Sequence, residues 1–177
     1  LYAWQSHVWN RAVARLVARS RGFARVVVND RVDAAIVAGA DGVHLRSDSP
    51  PASTIRELSP PDWLGGRSIH STDAARQHAD ADYLLFGTVF ESRSKPAGSP
   101  VAGIEALADA AVVASVAVLA IGGVAPSRVA ACRDAGAAGV AAIEVFLPKG
   151  RTPGAMGPAD AVAAIRSEWH QRASKPR

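Results

Sequence analysis

Cysteine occurs once in the 177 residues, at Cys132. One thiol cannot build a disulfide framework or a thiolate metal site, so Cys132, on an expected helix, reads as a small core residue. Aromatic side chains make up only 6% of the chain, while alanine, valine and glycine abound. Such small residues suit helices packed closely on a parallel sheet. No apolar run reaches the roughly 18 residues that a membrane span needs, and no signal-peptide pattern is visible, so no membrane partner is expected and the default location is the cytoplasm. Acidic residues are absent from the first 29 positions, and lysine is scarce: 17 of the 20 basic residues are arginine, and the net charge is +4. Arg11, Arg15 and Arg19 share one helical face opposite Trp9, Val13 and Leu16. With no recognised nucleic-acid fold and no interleaved stacking aromatics, this is a solvated helix face rather than a nucleic-acid interface.

What is present is 49% hydrophobic, enough for one domain with a sizeable core over residues 1–177. Helix and strand patterns alternate. A helix is expected over His7 to Ser20, stopped by Gly22, then a strand Arg25 to Val28 and a helix Val32 to Ala38 ending at Gly39. A strand Gly42 to Leu45 precedes Ser49-Pro50-Pro51 and a short helix to Leu58, closed by Pro60 and Pro61. A strand Arg67 to Ile69 leads to a helix Thr72 to Ala79, capped by Ser71 or Thr72. Further on come a strand Tyr83 to Phe86, helix Gly103 to Val113, strand Val116 to Ile121, and a helix from Pro126 to Gly136. A last strand, Gly139 to Ile143, and a helix from Pro158 to about Ala173 complete the pattern, with a frayed tail from Ser174. Repeated βα units of this kind build a doubly wound sheet or a TIM barrel, and periodicity leaves both open.

The stretch Asp82 to Lys95, DYLLFGTVFESRSK, organises the rest. Its four apolar or aromatic residues, Tyr83 to Phe86, read as a fully buried parallel strand, and everything polar follows its C-terminal end. That end is where parallel α/β proteins bind ligands, so Thr88, Ser92, Ser94 and Lys95 form a candidate anion cradle. The loop from Thr88 to Ala102 is the longest in the chain, as functional loops often are. Other strands end in the same manner: at Asn29-Asp30, after His44 at Ser47 and Asp48, at Ser68 and His70, at Gly122-Gly123 and at Glu144. Ala38-Gly39-Ala40-Asp41-Gly42-Val43 is echoed by Ala135-Gly136-Ala137-Ala138-Gly139-Val140, each with one glycine to stop a helix and one to begin a strand.

Six words in order, VNDRVD (28 to 33), AGADGVHL (38 to 45), GRSIHS (66 to 71), DYLLFGTVFESRSK (82 to 95), AIGGV (120 to 124) and AGAAGVAAI (135 to 143), resemble the thiamine phosphate synthase and TenI superfamily. The resemblance runs from Val26 to Phe146 and implies a TIM (β/α)8 barrel, here expected to lack the first strand, first helix and second strand. In that family hydroxymethylpyrimidine diphosphate is joined to thiazole phosphate with release of pyrophosphate, magnesium lying on the diphosphate. By resemblance Asn29 contacts the pyrimidine, Asp30 is a magnesium ligand, and Ser68 and Lys95 bind the diphosphate. Ser92, Arg93 and Ser94 line the thiazole phosphate site, and the backbone amides of Gly122, Gly123, Ile143 and Glu144 hold its phosphate.

Three positions depart from the synthase pattern. The second magnesium carboxylate falls on Ser49, with Asp48 adjacent as a substitute. Gly87 is followed by Thr88 rather than proline, and Glu144 stands where a small polar residue is usual. The words GRSIHS and YLLFGTVFES are closer to the TenI-like branch, whose thiazole tautomerisation needs an acid/base group and no metal. The histidine of that branch would fall on Thr88, which leaves His70 and His44 as candidates. The expectation is therefore a thiamine-biosynthesis protein, TenI-like in wording, with the synthase reaction and a non-catalytic phosphate-ligand binder as alternatives. Its partners are thiazole phosphate and, for a synthase, the pyrimidine diphosphate with Mg2+; a tautomerase needs no cofactor, and the oligomeric state is left open.

Overall fold

The computed structural model describes residues 2–92, 96, 98–147 and 157–171, with side chains from Val8 onward. The expected elements at Arg93, Ser94, Lys95 and the tail from Ser174 lie outside the described residues. Among the described residues fourteen elements follow one another, helices and strands mostly in alternation. They are α1 (Tyr2–Ser20), β1 (Val27–Asn29), α2 (Val32–Ala38), β2 (Gly42–Leu45), α3 (Ala52–Arg56), β3 (Leu64–Ile69) and α4 (Thr72–Gln77), followed by β4 (Tyr83–Phe86), α5 (Gly103–Val113), β5 (Ala117–Ile121), α6 (Pro126–Asp134), β6 (Gly139–Ala141), a 3-10 turn (Glu144–Phe146) and α7 (Pro158–His170).

Sheet order settles the question that periodicity left open. The strands run β1-β2-β3-β4-β5-β6, in sequence order, and β1 with β2, β2 with β3 and β5 with β6 pair in parallel. A doubly wound sheet would reverse direction at a switch point, whereas sequential parallel order is TIM-barrel topology. Backbone contacts divide the chain into two compact units, one of residues up to Ile69 with His78–Leu84, the other of His70–Gln77 with the residues from Leu85 on.

In the first unit α1 packs on α2, and its Val13 and Val17 are buried. Trp9 and Leu16, expected on that face, stay 51% and 56% exposed, so the apolar stripe is narrower and shifted by one residue from the expected one. Arg11, Arg15 and Arg19 are exposed, as a solvated face should be. Gly39 ends α2 in the left-handed conformation, with φ 63°. Every residue of β2 is buried. At its start a Cβ on Gly42 would collide with the Leu64 carbonyl, so glycine is what lets β2 and β3 approach. β3 begins at Leu64, three residues earlier than expected, because its two glycines still pair in register with β2.

In the second unit α4 lies against α5, and α6 against α7. Ser71 caps α4 by accepting from the Ala74 amide at 3.2 Å. Cys132 is fully buried and its thiol is pushed up to about 11 by that burial, as befits an inert core residue. β4 alternates in burial instead of being buried throughout: Leu84 and Phe86 are fully enclosed, while Tyr83 and Leu85 are only partly covered. The final strand is shorter than expected, because Glu144 opens a 3-10 turn. Among the described residues no helix is long and apolar enough to cross a membrane.

Candidate functional site

The strand ends of the first unit gather two linked clusters. β1 delivers Asn29, paired in register with His44 of β2, and the next residue, Asp30, takes a left-handed backbone with φ 54°. That conformation is uncommon outside glycine, and Asp and Asn tolerate it best. Asp30 does not cap α2: the helix begins after Arg31 with no side-chain cap. Its carboxylate instead faces the loop after β2, where Oδ1 accepts from the Ser49 hydroxyl at 2.6 Å and the Arg46 amide at 3.1 Å, and Oδ2 meets Arg46 Nε at 2.7 Å. Burial opposes ionisation, but the Ser49 and Arg46 hydrogen bonds and the Arg46 charge outweigh it, so Asp30 is held below the usual carboxylate range. Asp48 also lies on Arg46, with Oδ1 3.2 Å from Nε, but is 71% exposed.

The second cluster lies across the strands. His44, only 7% exposed, places Nε2 2.9 Å from Ser68 Oγ and Nδ1 3.2 Å from the Tyr83 hydroxyl, and its ring stacks on Tyr83 with centroids 5.7 Å apart. Gly66 makes room for this, since a Cβ there would strike the Tyr83 ring. Burial pushes the His44 pKa down, with Asp30 opposing and Arg67 assisting, so the imidazole is neutral near pH 7. With Nε2 protonated, His44 accepts from Tyr83 and donates to Ser68. That arrangement leaves the Ser68 proton free to be donated onward.

Arg67, inside the word GRSIHS, was not singled out from sequence. It is 1% exposed, and its guanidinium donates to the carbonyls of Arg46 and Ser49 at 3.1 Å, of Ser47 at 3.4 Å, and of Pro50. A buried cation thus ties down the loop that presents Arg46 and Ser49 to Asp30. A charged residue in a strand otherwise made of Leu, Gly, Ser and Ile was the available signal, because a buried arginine must find acceptors.

The second unit builds its part with backbone. A Cβ on Gly87 would meet the Ile121 carbonyl, one on Gly122 the Thr88 side chain, and one on Gly123 the Glu91 carbonyl. Gly122 and Gly123 have φ of 99° and 60°, so both turns call for glycine. The Val89 and Phe90 amides donate to the Ile121 and Gly122 carbonyls at 3.0 and 3.1 Å, joining the loop after β4 to the end of β5. Arg128 of α6 donates to the Gly123 carbonyl at 2.7 Å and lies 4.7 Å over the Phe90 ring. His70, exposed, donates from Nδ1 to the Gly87 carbonyl, which leaves Nε2 as the basic nitrogen. Ser92 donates to Glu144 Oε1 at 2.5 Å. Ile143 is 60% exposed at the start of the 3-10 turn.

Of the expected site residues, then, Asn29, Asp30, His44, Asp48 and Ser68 belong to the first unit, and His70, Thr88, Ser92, Gly122, Gly123, Ile143 and Glu144 to the second. Asp30 and Asp48 share Arg46; His44 and Ser68 touch each other; Ser92 reaches Glu144. A magnesium ion needs free carboxylate oxygens. Both Asp30 oxygens are engaged by Ser49 and Arg46, and no cluster of three or more His, Cys, Asp or Glu suited to a metal exists among the described residues. These side chains do not form a ready magnesium site.

The thiamine monophosphate synthase family model matches residues 7–146. The chain belongs to the thiamine monophosphate synthase family. A thiamine-phosphate synthase of Anaeromyxobacter dehalogenans is 42% identical over 160 residues, covering 89% of this chain and 69% of the relative. The enzyme of that name from Laribacter hongkongensis is 39% identical over 145 residues, covering 81% and 69%. Among solved structures, thiamine phosphate pyrophosphorylase from Pyrococcus furiosus superposes with a TM-score of 0.77 at 25% identity, covering 93% of this chain and 77% of that one. This likeness agrees with the TIM-barrel topology of the family member described here. These relatives carry synthase names, which moves the weight from the TenI-like expectation to its synthase alternative.

Proposed function

We propose that this chain carries out the thiamine-phosphate synthase reaction, and that residues 1–177 act as one domain, a reading supported by a family match that runs through both compact units. In that reaction the bond from the pyrimidine methylene to its diphosphate oxygen breaks, the thiazole nitrogen forms a bond to the methylene, and pyrophosphate leaves. The chemical demand is to meet charge that accumulates on the departing diphosphate. The observation that carries the proposal is the Ser68 hydroxyl, held 2.9 Å from Nε2 of the buried His44: in the tautomer with Nε2 protonated, His44 donates to it and the Ser68 proton is available to a diphosphate oxygen. Such a donor costs no reorganisation at the moment of bond breaking.

Asn29, at the end of β1, contacts the pyrimidine, and Lys95 adds positive charge to the diphosphate. Thr88, Ser92, Arg93 and Ser94 line the thiazole phosphate side, with the amides of Gly122, Gly123, Ile143 and Glu144 around the phosphate. The Glu144 carboxylate on Ser92 competes with phosphate for that hydroxyl, so thiazole phosphate binding entails a new partner for Ser92. The test is to supply the full chain with both substrates and follow pyrophosphate and thiamine phosphate. Release that requires both substrates is expected. Binding of thiazole phosphate with no pyrophosphate formed sinks the synthase reading and leaves the phosphate-ligand binder.

One observation favours the thiazole tautomerase as a second reading. The Gly87 carbonyl holds His70 in the tautomer that leaves Nε2 basic at an exposed strand end, as a proton-transfer group needs. Isomerisation of a thiazole carboxylate phosphate without metal, lost in His70→Ala, is its expected outcome.

A further inference from the structure

Arg46 occupies an unusual position. Its Nε lies 2.7 Å from Asp30 Oδ2 and 3.2 Å from Asp48 Oδ1, its Nη2 lies 3.4 Å from Asp48 Oδ2, and its own backbone amide donates to Asp30 Oδ1 at 3.1 Å. One residue therefore contacts both oxygens of one carboxylate and both oxygens of a second. A hard divalent cation bound at this loop would need the same carboxylate oxygens. The backbone contact fixes where Arg46 can reach, because Arg67 holds the carbonyls of Arg46, Ser47, Ser49 and Pro50 and the Ser49 hydroxyl also bonds Asp30 Oδ1.

We propose that the Arg46 guanidinium is the resident counter-cation of Asp30 and Asp48 and competes with a divalent metal for them. A guanidinium keeps its charge at every working pH and presents a planar fork of donors, so it neutralises the pair without any metal. A cation arriving at Asp30 must displace Arg46 and also approach a fixed positive charge. The free protein is then a weak divalent binder, and its weakness lies in one side chain rather than in a lack of acid. The inference stands apart from the proposed function, because the occupancy of the carboxylates is tested without catalysis.

The experiment is a Mn2+ titration of the full chain, read by the electron paramagnetic resonance of free Mn2+, on wild type, Arg46→Gln, Arg31→Gln and Asp30→Asn with Arg46→Gln. Arg46 is 69% exposed, so its replacement leaves the fold intact. Arg31, 47% exposed and paired with Asp33 at 2.6 Å, is a matched loss of one charge beside Asp30 in sequence. Arg46→Gln is expected to bind Mn2+ roughly twofold to fivefold more tightly than wild type, the range an exposed ion pair can supply. Arg31→Gln should change little, and the added Asp30→Asn should abolish the gain. Unchanged or weaker binding in Arg46→Gln overturns the proposal, and so does an equal gain in Arg31→Gln, which would trace the effect to net charge. A chain that releases no pyrophosphate yet gives the expected Mn2+ series would fail the synthase reading and keep this one.

Discussion

The two compact units make their candidate site surfaces by opposite means. In the first, side chains hold side chains: Tyr83 to His44 to Ser68, Ser49 and Arg46 to Asp30, and Arg67 beneath the loop. In the second, absent side chains matter more, since Gly87, Gly122 and Gly123 let loop and strand backbones touch. A network of polar side chains can be altered one group at a time and lose chemistry while keeping shape. A surface made by glycine loses shape as soon as a methyl group is added.

The largest expected effect is on Arg67. Replacing it with Met removes donors from four loop carbonyls at once, and unsatisfied acceptors together with charge-assisted bonds lost should cost about 3 kcal/mol of stability. Urea unfolding measures this; an unchanged midpoint would mean that the loop finds water instead. Next comes Ser68→Ala, which should lower kcat for pyrophosphate release about 100-fold, as loss of a transition-state donor does, and cost only about 1 kcal/mol of stability for the hydrogen bond lost by the buried His44. Gly123→Ala should behave in the opposite way. Its methyl group would be driven into the Glu91 carbonyl at a left-handed position, destabilising by about 2 kcal/mol. If Ser68→Ala destabilised more than Gly123→Ala, the contrast between the two units would be wrong.

The sequence exposed the glycine turns of both units more readily than the side-chain network of the first. Gly39 and Gly136 stop helices with positive φ, and Gly42 carries the close strand approach, as the internal echo implied. Glycine and strand patterns are local signals, so they can be read from neighbours along the chain. The first unit depends on partners 16 to 39 positions apart, such as Arg46 with Asp30 and Tyr83 with His44. Nothing local announces those pairs. Asp30 illustrates the limit: Asn-Asp before a helix reads equally as a cap and as a ligand, and only the loop after β2 shows that its carboxylate is turned away from α2. Tyr83 likewise looked like one apolar member of a buried strand, yet its hydroxyl anchors the imidazole behind Ser68.

The smallest expected effect tests that imidazole directly. Burial places the pKa of His44 in the native state below its ordinary value of 6.5, so the unfolded chain takes up a proton before the native protein does. The contribution of neutral His44 is therefore complete above pH 6.5, falls as pH drops from there toward the lowered native value, and levels off below it. His78, also pushed down by burial, adds a slope of the same sign, which makes wild type alone an ambiguous probe. The difference between wild type and His44→Gln isolates one ring: unfolding free energies measured from pH 7.5 to 5 should fall more gently in the variant. Parallel curves would mean that His44 is as easily protonated in the native protein as in the unfolded chain; a charged His44 would still donate from Nε2 to Ser68 but would no longer accept the Tyr83 hydroxyl at Nδ1.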